Sequence, residues 1–266
     1  MPMQEGLNAT LIPIPAGDFL MGSESGEDQE KPVHRVFLDA FEIDARPITN
    51  RQFKLFIKAC PEWQKSAIIK KHPNAYYLYP WRDEIFFPKG KRDHPVVYIN
   101  WYSSAAFCNW RSREEGLRPC YDESSDFACD FSADGYRLPT EAEYECASRG
   151  GVEQALYPWG FEISKRVANY DNMVGDTTEV GTYAPNGFGL FDMSGNIGHW
   201  CQDWYDQDYY QRSPDKNPRG PESGKYRVYR GGPWGTQAYY QRCAKRFCLM
   251  PQLYNPDFGF RCVRAV

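Results

Sequence analysis

The last forty residues, 227–266, constrain the fold more than any other stretch of the chain. The segment opens on two adjacent glycines, Gly231 and Gly232, and closes on Gly259. Glycines mark places where the backbone turns or approaches its neighbours closely, because no Cβ obstructs it. The large apolar side chains between these ends follow neither a helical nor a strand period. Since a solvated linker does not carry so many aromatic rings, the segment is either wrapped against a core or displayed as a contact surface.

Composition sets broad limits on the class of protein. A length of 266 residues admits one large domain or two small ones, and we interpret residues 1–266 as a single domain. Aromatic residues make up 16% of the chain, beside 20 prolines and 22 glycines, which predicts many turns and little long regular structure. The formal net charge of −4 gives no electrostatic reason to expect binding to nucleic acid or to an anionic membrane.

Cysteines and the N-terminus bear on the compartment. The chain has nine cysteines and no paired CxxC motifs, so structural zinc is not expected and the thiols are predicted to be reduced and mostly buried. The first five residues lack the basic and apolar regions of a signal peptide. The apolar residues at 11–14 are too few to span a bilayer. These observations favour a cytoplasmic protein.

Three helix signals stand out. Thr49 precedes an apolar stripe with i, i+3, i+4 spacing that begins at Phe53, which predicts a capped amphipathic helix. Residues 101–113 are predicted to form a second helix. Thr140 and Glu143 form a capping box at the start of a third helix, in which each side chain satisfies a free backbone N–H.

Other stretches predict strands and loops. Residues 34–43 alternate apolar and polar side chains, which predicts one strand. Residues 61–92 interleave lysines with tyrosines, a pattern that can bind single-stranded nucleic acid. Because the whole chain is acidic, we interpret this stretch as a solvated excursion. The acidic residues between Cys120 and Cys129 predict a hairpin or loop that could bring the two thiols together.

The chain resembles the family of formylglycine-generating enzymes and sulfatase-modifying factors over nearly its whole length. The resemblance implies one α+β domain of irregular C-type-lectin-like fold, with two or three short helices, small antiparallel sheets and long loops. The motifs that carry it are, in order, IPAG (14–17), FLMG (19–22), PITN (47–50), HPVV (94–97), WY (101–102), YRLPTEAE (136–143), YPWG (157–160), PNGFGL (185–190), GN (195–196) with Trp200, DW (203–204), RGG (230–232) and GFR (259–261).

The resemblance also implies a test for copper. Oxidase members of the family hold Cu(I) with two cysteines five positions apart, since thiolates suit this soft ion. The second cysteine lies in an Arg-Cys-Ala-x-Arg motif, which here contains Cys243, and the position of the first cysteine is Ala238. The pair is therefore broken, and copper is not expected. Cys248 lies five residues after Cys243, so these two are catalytic candidates only if the chain is an oxidase.

Calcium is the second cofactor that the resemblance implies. The family places Ca²⁺ against the Asn of a Gly-Asn-x-x-Glu-Trp motif and against an Ala-Asn motif upstream. The acidic position of the first motif is His199 here, which weakens that part of the site because a hard cation requires oxygen ligands. The predicted calcium ligands are Asn169, Tyr170, Asp171 and Asn196.

Two classes of function remain open. The first is a binding module for an unidentified protein or small ligand, expected to be a monomer, in which residues 233–258 form the recognition surface. Some relatives are variable proteins of diversity-generating retroelements, in which this region carries the randomised residues. The second class is an enzyme, either a copper-dependent oxidase that generates formylglycine in sulfatases or another oxidation on the same scaffold. The predicted surface comprises Trp234, Thr236, Gln237, Tyr239, Tyr240, Gln241, Phe247, Leu249, Gln252, Leu253, Tyr254 and Phe258.

Overall fold

A computed structural model describes residues 9–266. The prediction about a signal peptide falls on the first five residues and lies outside the described part of the chain. The helices are α1 (Asn50–Ala59), α2 (Lys65–Lys71), α3 (Trp101–Glu114) and α4 (Glu141–Ser148). The strands are β1 (Leu11–Ile14), β2 (Gly17–Met21), β3 (His34–Leu38), β4 (Phe41–Asp44), β5 (Tyr121–Asp122), β6 (Ala128–Cys129), β7 (Gly198–Trp204), β8 (Arg227–Arg230), β9 (Phe247–Leu249), β10 (Phe258–Gly259) and β11 (Val263–Ala265).

The strands form small sheets, as the predicted fold class requires. One sheet has the order β1-β4-β11, so it joins strands from the two ends of the chain. A second sheet has the order β10-β7-β8-β9, and β2-β3 and β5-β6 form separate pairs. The expectation of purely antiparallel sheets is wrong at one position, because β10 pairs with β7 in parallel. The four α-helices of the described residues also exceed the two or three expected.

The single strand predicted over residues 34–43 is two strands in two different sheets. Val36 and Leu38 are buried in β3, whereas Phe41 and Ile43 are buried in β4. The buried positions change from even to odd numbers, and a continuous strand cannot keep both sets on one face. The chain therefore breaks at residues 39–40.

The predicted helix starts are confirmed. The Thr49 side chain caps α1 reciprocally with Gln52, and Thr140 caps α4 reciprocally with Glu143. The helix predicted from residue 101 is α3, capped by Asn100. Aromatic rings of α1 and α3 form one part of the core, and α4 lies against a second part.

Residues 61–92 are more than a solvated excursion. They contain α2, and Tyr77, Leu78 and Trp81 are 0, 0 and 2% exposed. The Trp81 indole donates to Asn50 Oδ1 at 3.2 Å, which anchors the stretch to α1. Burial of these apolar side chains stabilises the stretch against the core, while the neighbouring lysines can keep their charged ends in water.

The predictions for the cysteines and for the hairpin between Cys120 and Cys129 are confirmed in part. All nine cysteines are free thiols, five of them buried. The predicted hairpin is β5-β6, but Cys120 Sγ donates to the Gly135 carbonyl at 3.2 Å.

Among the described residues, no helix combines the length and the apolar character needed to cross a lipid bilayer.

Candidate functional site

The C-terminal segment starts from a glycine turn held close to α4. Gly231 has a φ of 72°, and a Cβ at this residue would lie 2.7 Å from the Tyr144 hydroxyl and 3.0 Å from the Met193 carbonyl oxygen. Only glycine satisfies both the conformation and the close approach. Residues Ala238–Gln241 then form one turn of 3-10 helix. The side chains of residues 238–241 therefore do not alternate between two faces as they would in a strand.

Beneath this turn lies a set of buried ion pairs, which we call the ionic frame. It comprises Glu30, Glu141, Glu145, Arg230, Arg242 and Arg246. Both nitrogens of the Arg246 fork donate to Glu141 at 2.8 Å, and Arg242 donates to Glu30 at 2.7 and 2.8 Å. Arg230 reaches Glu141 at 3.0 Å from the other side. Planar bidentate pairs of this kind fix orientation as well as position.

The ionic frame is dry. Arg230 and Arg246 are at most 1% exposed, and all of residues 241–246 are buried. Burying a charge is tolerated only when the charge is paired and hydrogen-bonded. The segment is therefore fastened to α4 and to the loop containing Glu30 through interactions that require these residue types.

Two tyrosines stand outside the frame. Tyr239 is 46% exposed and Tyr240 is 37% exposed. Their rings meet edge to face, with centroids 5.4 Å apart. The Tyr240 ring lies 6.2 Å from that of the half-buried Phe247, which stacks on Tyr229 at 4.8 Å. We call Tyr239, Tyr240 and Phe247 the aromatic patch.

Ten of the twelve predicted surface residues are at least partly exposed, and two are not. Gln241 is 0% exposed, with its amide inside the segment on Thr236 Oγ1 at 2.8 Å. Phe258 is 4% exposed, packed 4.0 Å from the Tyr229 ring. These two residues are packed inside the segment, so the prediction that they belong to the recognition surface is wrong. The exposed ones are Gln237, Tyr239, Tyr240, Gln252 and Leu253, and the half-buried ones are Trp234, Thr236, Phe247, Leu249 and Tyr254.

Gln252, Leu253 and Tyr254 line a cleft of about 840 Å³. Its opposite wall comes from residues that the sequence interpretation left out, among them Trp63 and Tyr76. The aromatic residues that are frequent in 61–92 are the sequence signal for this wall of the cleft. The sequence interpretation treats that stretch as a solvated excursion instead.

The two candidate catalytic thiols lie in different surroundings. Cys243 is buried beside α4, where its sulfur accepts from the Ser148 hydroxyl at 3.4 Å. Burial raises the pKa of Cys243 to about 11. Cys248 is half-buried in β9, opposite Val228, and burial raises the pKa of this thiol too. Metal ligation and nucleophilic attack both need the thiolate, which these surroundings disfavour.

Of the predicted calcium ligands, Asn169 and Asn196 meet through their backbones. Asn196 N–H donates to the Asn169 carbonyl at 2.8 Å. Asn169 Oδ1 is buried and accepts no hydrogen bond among the described residues. Asn196 Oδ1, however, accepts from the Thr178 N–H at 2.9 Å, and the Asp171 carboxylate pairs with Lys165 at 3.2 Å.

One free oxygen does not make a calcium site, since the ion takes six to eight oxygens. Tyr170, the fourth predicted ligand, is largely buried. The described residues contain no group of three His, Cys, Asp or Glu side chains that could hold a metal. A calcium ion beside Asn169 would need Asn196 or Asp171 to give up its present partner, so the residues fit a weak site at most.

His199 faces the core. Its Nδ1 lies 2.8 Å from the Tyr144 hydroxyl, and its Nε2 lies 3.3 Å from an Arg261 nitrogen. Burial, and then the Arg261 charge, hold the pKa of His199 well below its usual range. The imidazole is therefore a neutral hydrogen-bonding link between α4 and β7.

The model of the sulfatase-modifying factor enzyme 1-like domain matches residues 1–266. The chain belongs to this family. It is 33% identical over 303 residues to the formylglycine-generating enzyme of Thermomonospora curvata, in an alignment that covers 95% of this chain and 92% of that protein. The predicted resemblance and the predicted fold class are confirmed.

Two further similar proteins have names that differ from that of the enzyme. The chain is 36% identical over 270 residues to the serine/threonine-protein kinase pkn1 of Chlamydia pneumoniae. That alignment covers 100% of this chain but 39% of the kinase, so the chain spans about two fifths of that protein. The solved structure of Treponema denticola variable protein 1 matches with a TM-score of 0.77 and 28% identity, covering 97% of this chain and 95% of that one. Membership therefore establishes the scaffold, and the function has to come from the site.

Proposed function

We propose that this domain is a ligand- or protein-binding module that lacks the paired copper cysteines and uses residues 233–258 as its recognition surface. The observation that carries the proposal is the aromatic patch, whose Tyr239 and Tyr240 are exposed and whose Tyr239 ring lies 4.3 Å from the Arg242 guanidinium of the ionic frame. Tyrosines give large contact area for little loss of side-chain entropy, and they are frequent in binding hot spots. Because the frame holds the backbone still, the patch is pre-organised, which lowers the cost of binding.

The chemistry near position 238 supports the same proposal. Ala238 stands where the resemblance places a copper cysteine, and Cys243 is a buried thiol with a raised pKa. The similarity to the Treponema denticola variable protein 1 supports the narrower proposal that the segment is diversified by a retroelement. In such a protein the ionic frame would stay constant while the exposed positions change.

A selection experiment tests the binding function. A random-peptide phage library and a glycan array are presented to the wild-type domain and to a Tyr239→Ala/Tyr240→Ala double variant. We expect the ligands that the wild type selects to bind the double variant at least about ten-fold more weakly, the scale of two hot-spot residues. Phe161→Ala is the matched control, because Phe161 is 65% exposed elsewhere on the surface.

Two results would contradict the proposal. One is a set of ligands whose binding the double variant and the control reduce equally. The other is oxidase activity. In that case one equivalent of Cu(I) would protect Cys243 and Cys248 from a thiol reagent, and a cysteine-containing sulfatase peptide would be converted to its aldehyde faster than in a copper-only blank. That second result would establish the alternative, formylglycine-generating function.

A further inference from the structure

The cleft beside residues 252–254 is a separate concave feature with its own chemistry. It lies between the end of α2, the start of α3, the tip of the β5-β6 hairpin and the C-terminal segment. Its volume of about 840 Å³ falls within the range of sites that enclose a ligand. The lining residues are Trp63, Ile68, Lys71, His72, Pro73, Asn74, Ala75, Tyr76, Asn100, Tyr102, Phe127, Gln252, Leu253 and Tyr254.

Aromatic rings form the walls and hold one another in place. Phe127 meets Trp63 at 6.3 Å and Tyr102 at 5.7 Å between centroids. On the other wall, Tyr254 lies 5.5 Å from the fully buried Tyr77. The Trp63–Phe127 pair is edge to face and the other two are tilted. Aromatic pairs at these distances are favourable, so the walls are formed before any ligand arrives.

The apolar surface of the cleft is open to solvent. Tyr76 is 60% exposed and Leu253 is 41% exposed. Phe127 has a φ of 57°, a left-handed conformation that is unfavourable for a bulky residue. Strain of this kind persists where the surroundings fix it, and it occurs frequently at ligand sites.

Charge distinguishes one end of the cleft. Lys71 and His72 are exposed at the end of α2, and no lining residue is acidic. In a chain of net charge −4, a cleft lined only by basic and neutral groups favours a ligand with negative charge. At the hairpin end, burial, and then the charge of Asp126, raise the pKa of the Tyr102 phenol.

Side-chain amides complete the lining. Asn74 and Gln252 come from two different parts of the chain, whereas the Oδ1 of the third amide, Asn100, already accepts from the Ser103 N–H at the start of α3. Amides offer both donors and acceptors, which match the N–H and C=O groups of an extended backbone. We propose that the cleft binds a peptide segment in which a carboxylate side chain is adjacent to an aromatic one, with the carboxylate beside Lys71 and His72 and the ring between Tyr76 and Leu253. This inference rests on the proposed binding function and names its ligand class.

Three matched peptides test the inference on the intact protein. Each has a Gly-Ser host sequence with one central pair, Asp-Phe, Lys-Phe or Asp-Ala, and a fluorophore for anisotropy. We expect the Asp-Phe peptide to bind most tightly. Exchange of its charge should weaken binding about five-fold, as for an exposed ion pair, and loss of its ring should weaken binding about ten-fold.

Variants of exposed residues locate the site without disturbing the core. Lys71→Glu should weaken binding of the Asp-Phe peptide about five-fold and improve binding of the Lys-Phe peptide. Tyr76→Ala should weaken binding of both peptides that contain phenylalanine. The controls are Lys58→Glu on the exposed side of α1 and Phe161→Ala, which make the same chemical changes outside the cleft.

The inference is overturned if the Asp-Phe peptide shows no preference over the other two, or if the controls reduce binding as much as the cleft variants do. Failure here is distinguishable from failure of the binding function. If the ligands selected on the wild type still depend on Tyr239 and Tyr240 while the Asp-Phe peptide does not bind, the recognition surface stands and the cleft does not belong to it.

Discussion

Residues 241–246 and the aromatic patch are neighbours in sequence but are held in opposite ways. Every side chain of 241–246 is buried, and two of them are arginines in bidentate pairs with Glu30 and Glu141. Tyr239 and Tyr240 precede this run directly and are 46 and 37% exposed. The difference shows that buried charge pairs, rather than regular secondary structure, hold the backbone next to the exposed tyrosines.

The largest expected effect comes from the ionic frame. Arg246→Met removes both hydrogen bonds to Glu141 and leaves that carboxylate partly uncompensated in a dry site. We expect the free energy of unfolding, measured by urea denaturation, to fall by about 3–5 kcal/mol. Arg113→Met is the matched control, since Arg113 is 55% exposed in its pair with Glu123, and it should cost less than about 1 kcal/mol. Equal losses of unfolding free energy in the two variants would show that the ionic frame does not hold the C-terminal segment in place.

A second effect is a dependence of stability on pH at the edge of the frame. Burial, and then the Glu141 charge, raise the pKa of Asp203 to about 8, above the value of about 3.9 expected in the unfolded chain. The folded protein therefore keeps a proton that the unfolded chain has released. This contribution to stability is fully present below the unfolded pKa and is lost as the pH rises towards the folded pKa.

Asp203→Asn isolates this contribution because the variant stays neutral at every pH. Its amide oxygen can still accept from the Glu141 N–H, as Asp203 does at 2.9 Å. Between about pH 5 and pH 7, the unfolding free energy of the wild type should fall relative to the variant by about 2.7 kcal/mol, at about 1.36 kcal/mol per pH unit. Parallel stability curves for the two proteins would contradict the assignment.

The smallest effect concerns calcium. The backbone N–H groups of Asp171 and Asn172 donate to Thr236 and Trp234 at 2.8 and 2.9 Å, so a cation at Asn169 would brace the start of the displayed segment. We propose a weak site, with a Kd of about 1 mM, because Asn196 and Asp171 must first leave their partners. Calcium at about 10 mM should then raise the unfolding free energy by about 1.4 kcal/mol.

Asn169→Ala should abolish this stabilisation, and magnesium at the same concentration serves as the control for ionic strength. An equal increase in the variant would place the ion elsewhere. If calcium does not raise the unfolding free energy of the wild type, the proposed calcium site is wrong.

Local signals in the sequence predicted local structure. The cap residue Thr49 with the apolar stripe after it, and the capping box at Thr140, located two helices, because these signals depend on residues three or four positions apart. The burial of Tyr77 was not predictable in this way, since its ring packs on Tyr254, which is distant in sequence. The break after Leu38 depends on which face each half of the stretch buries, and one sequence does not specify the sheet that each half joins.

The candidate site shows the same division. The glycines and aromatic residues of 227–266 predicted a segment that is either wrapped against a core or displayed as a contact surface. The burial of Gln241 and Phe258 was not predictable, because it depends on partners within the folded segment. The ionic frame joins Glu30 to Arg242 across more than two hundred positions, and acidic residues near position 30 look like an ordinary surface turn in the sequence. The cleft needs four separate parts of the chain, so no single motif could announce it.

The pairing of β4 with β11 has a consequence for synthesis. Phe41 and Ile43 pair with Ala265 and Val263, so the ribosome must add more than two hundred residues after β4 before this sheet can close. Contacts between such distant positions make folding slow, because the loop must close before its contacts form. Until β11 is available, β4 lacks one of its two partners, and an unpaired strand edge is a site at which a nascent chain can aggregate.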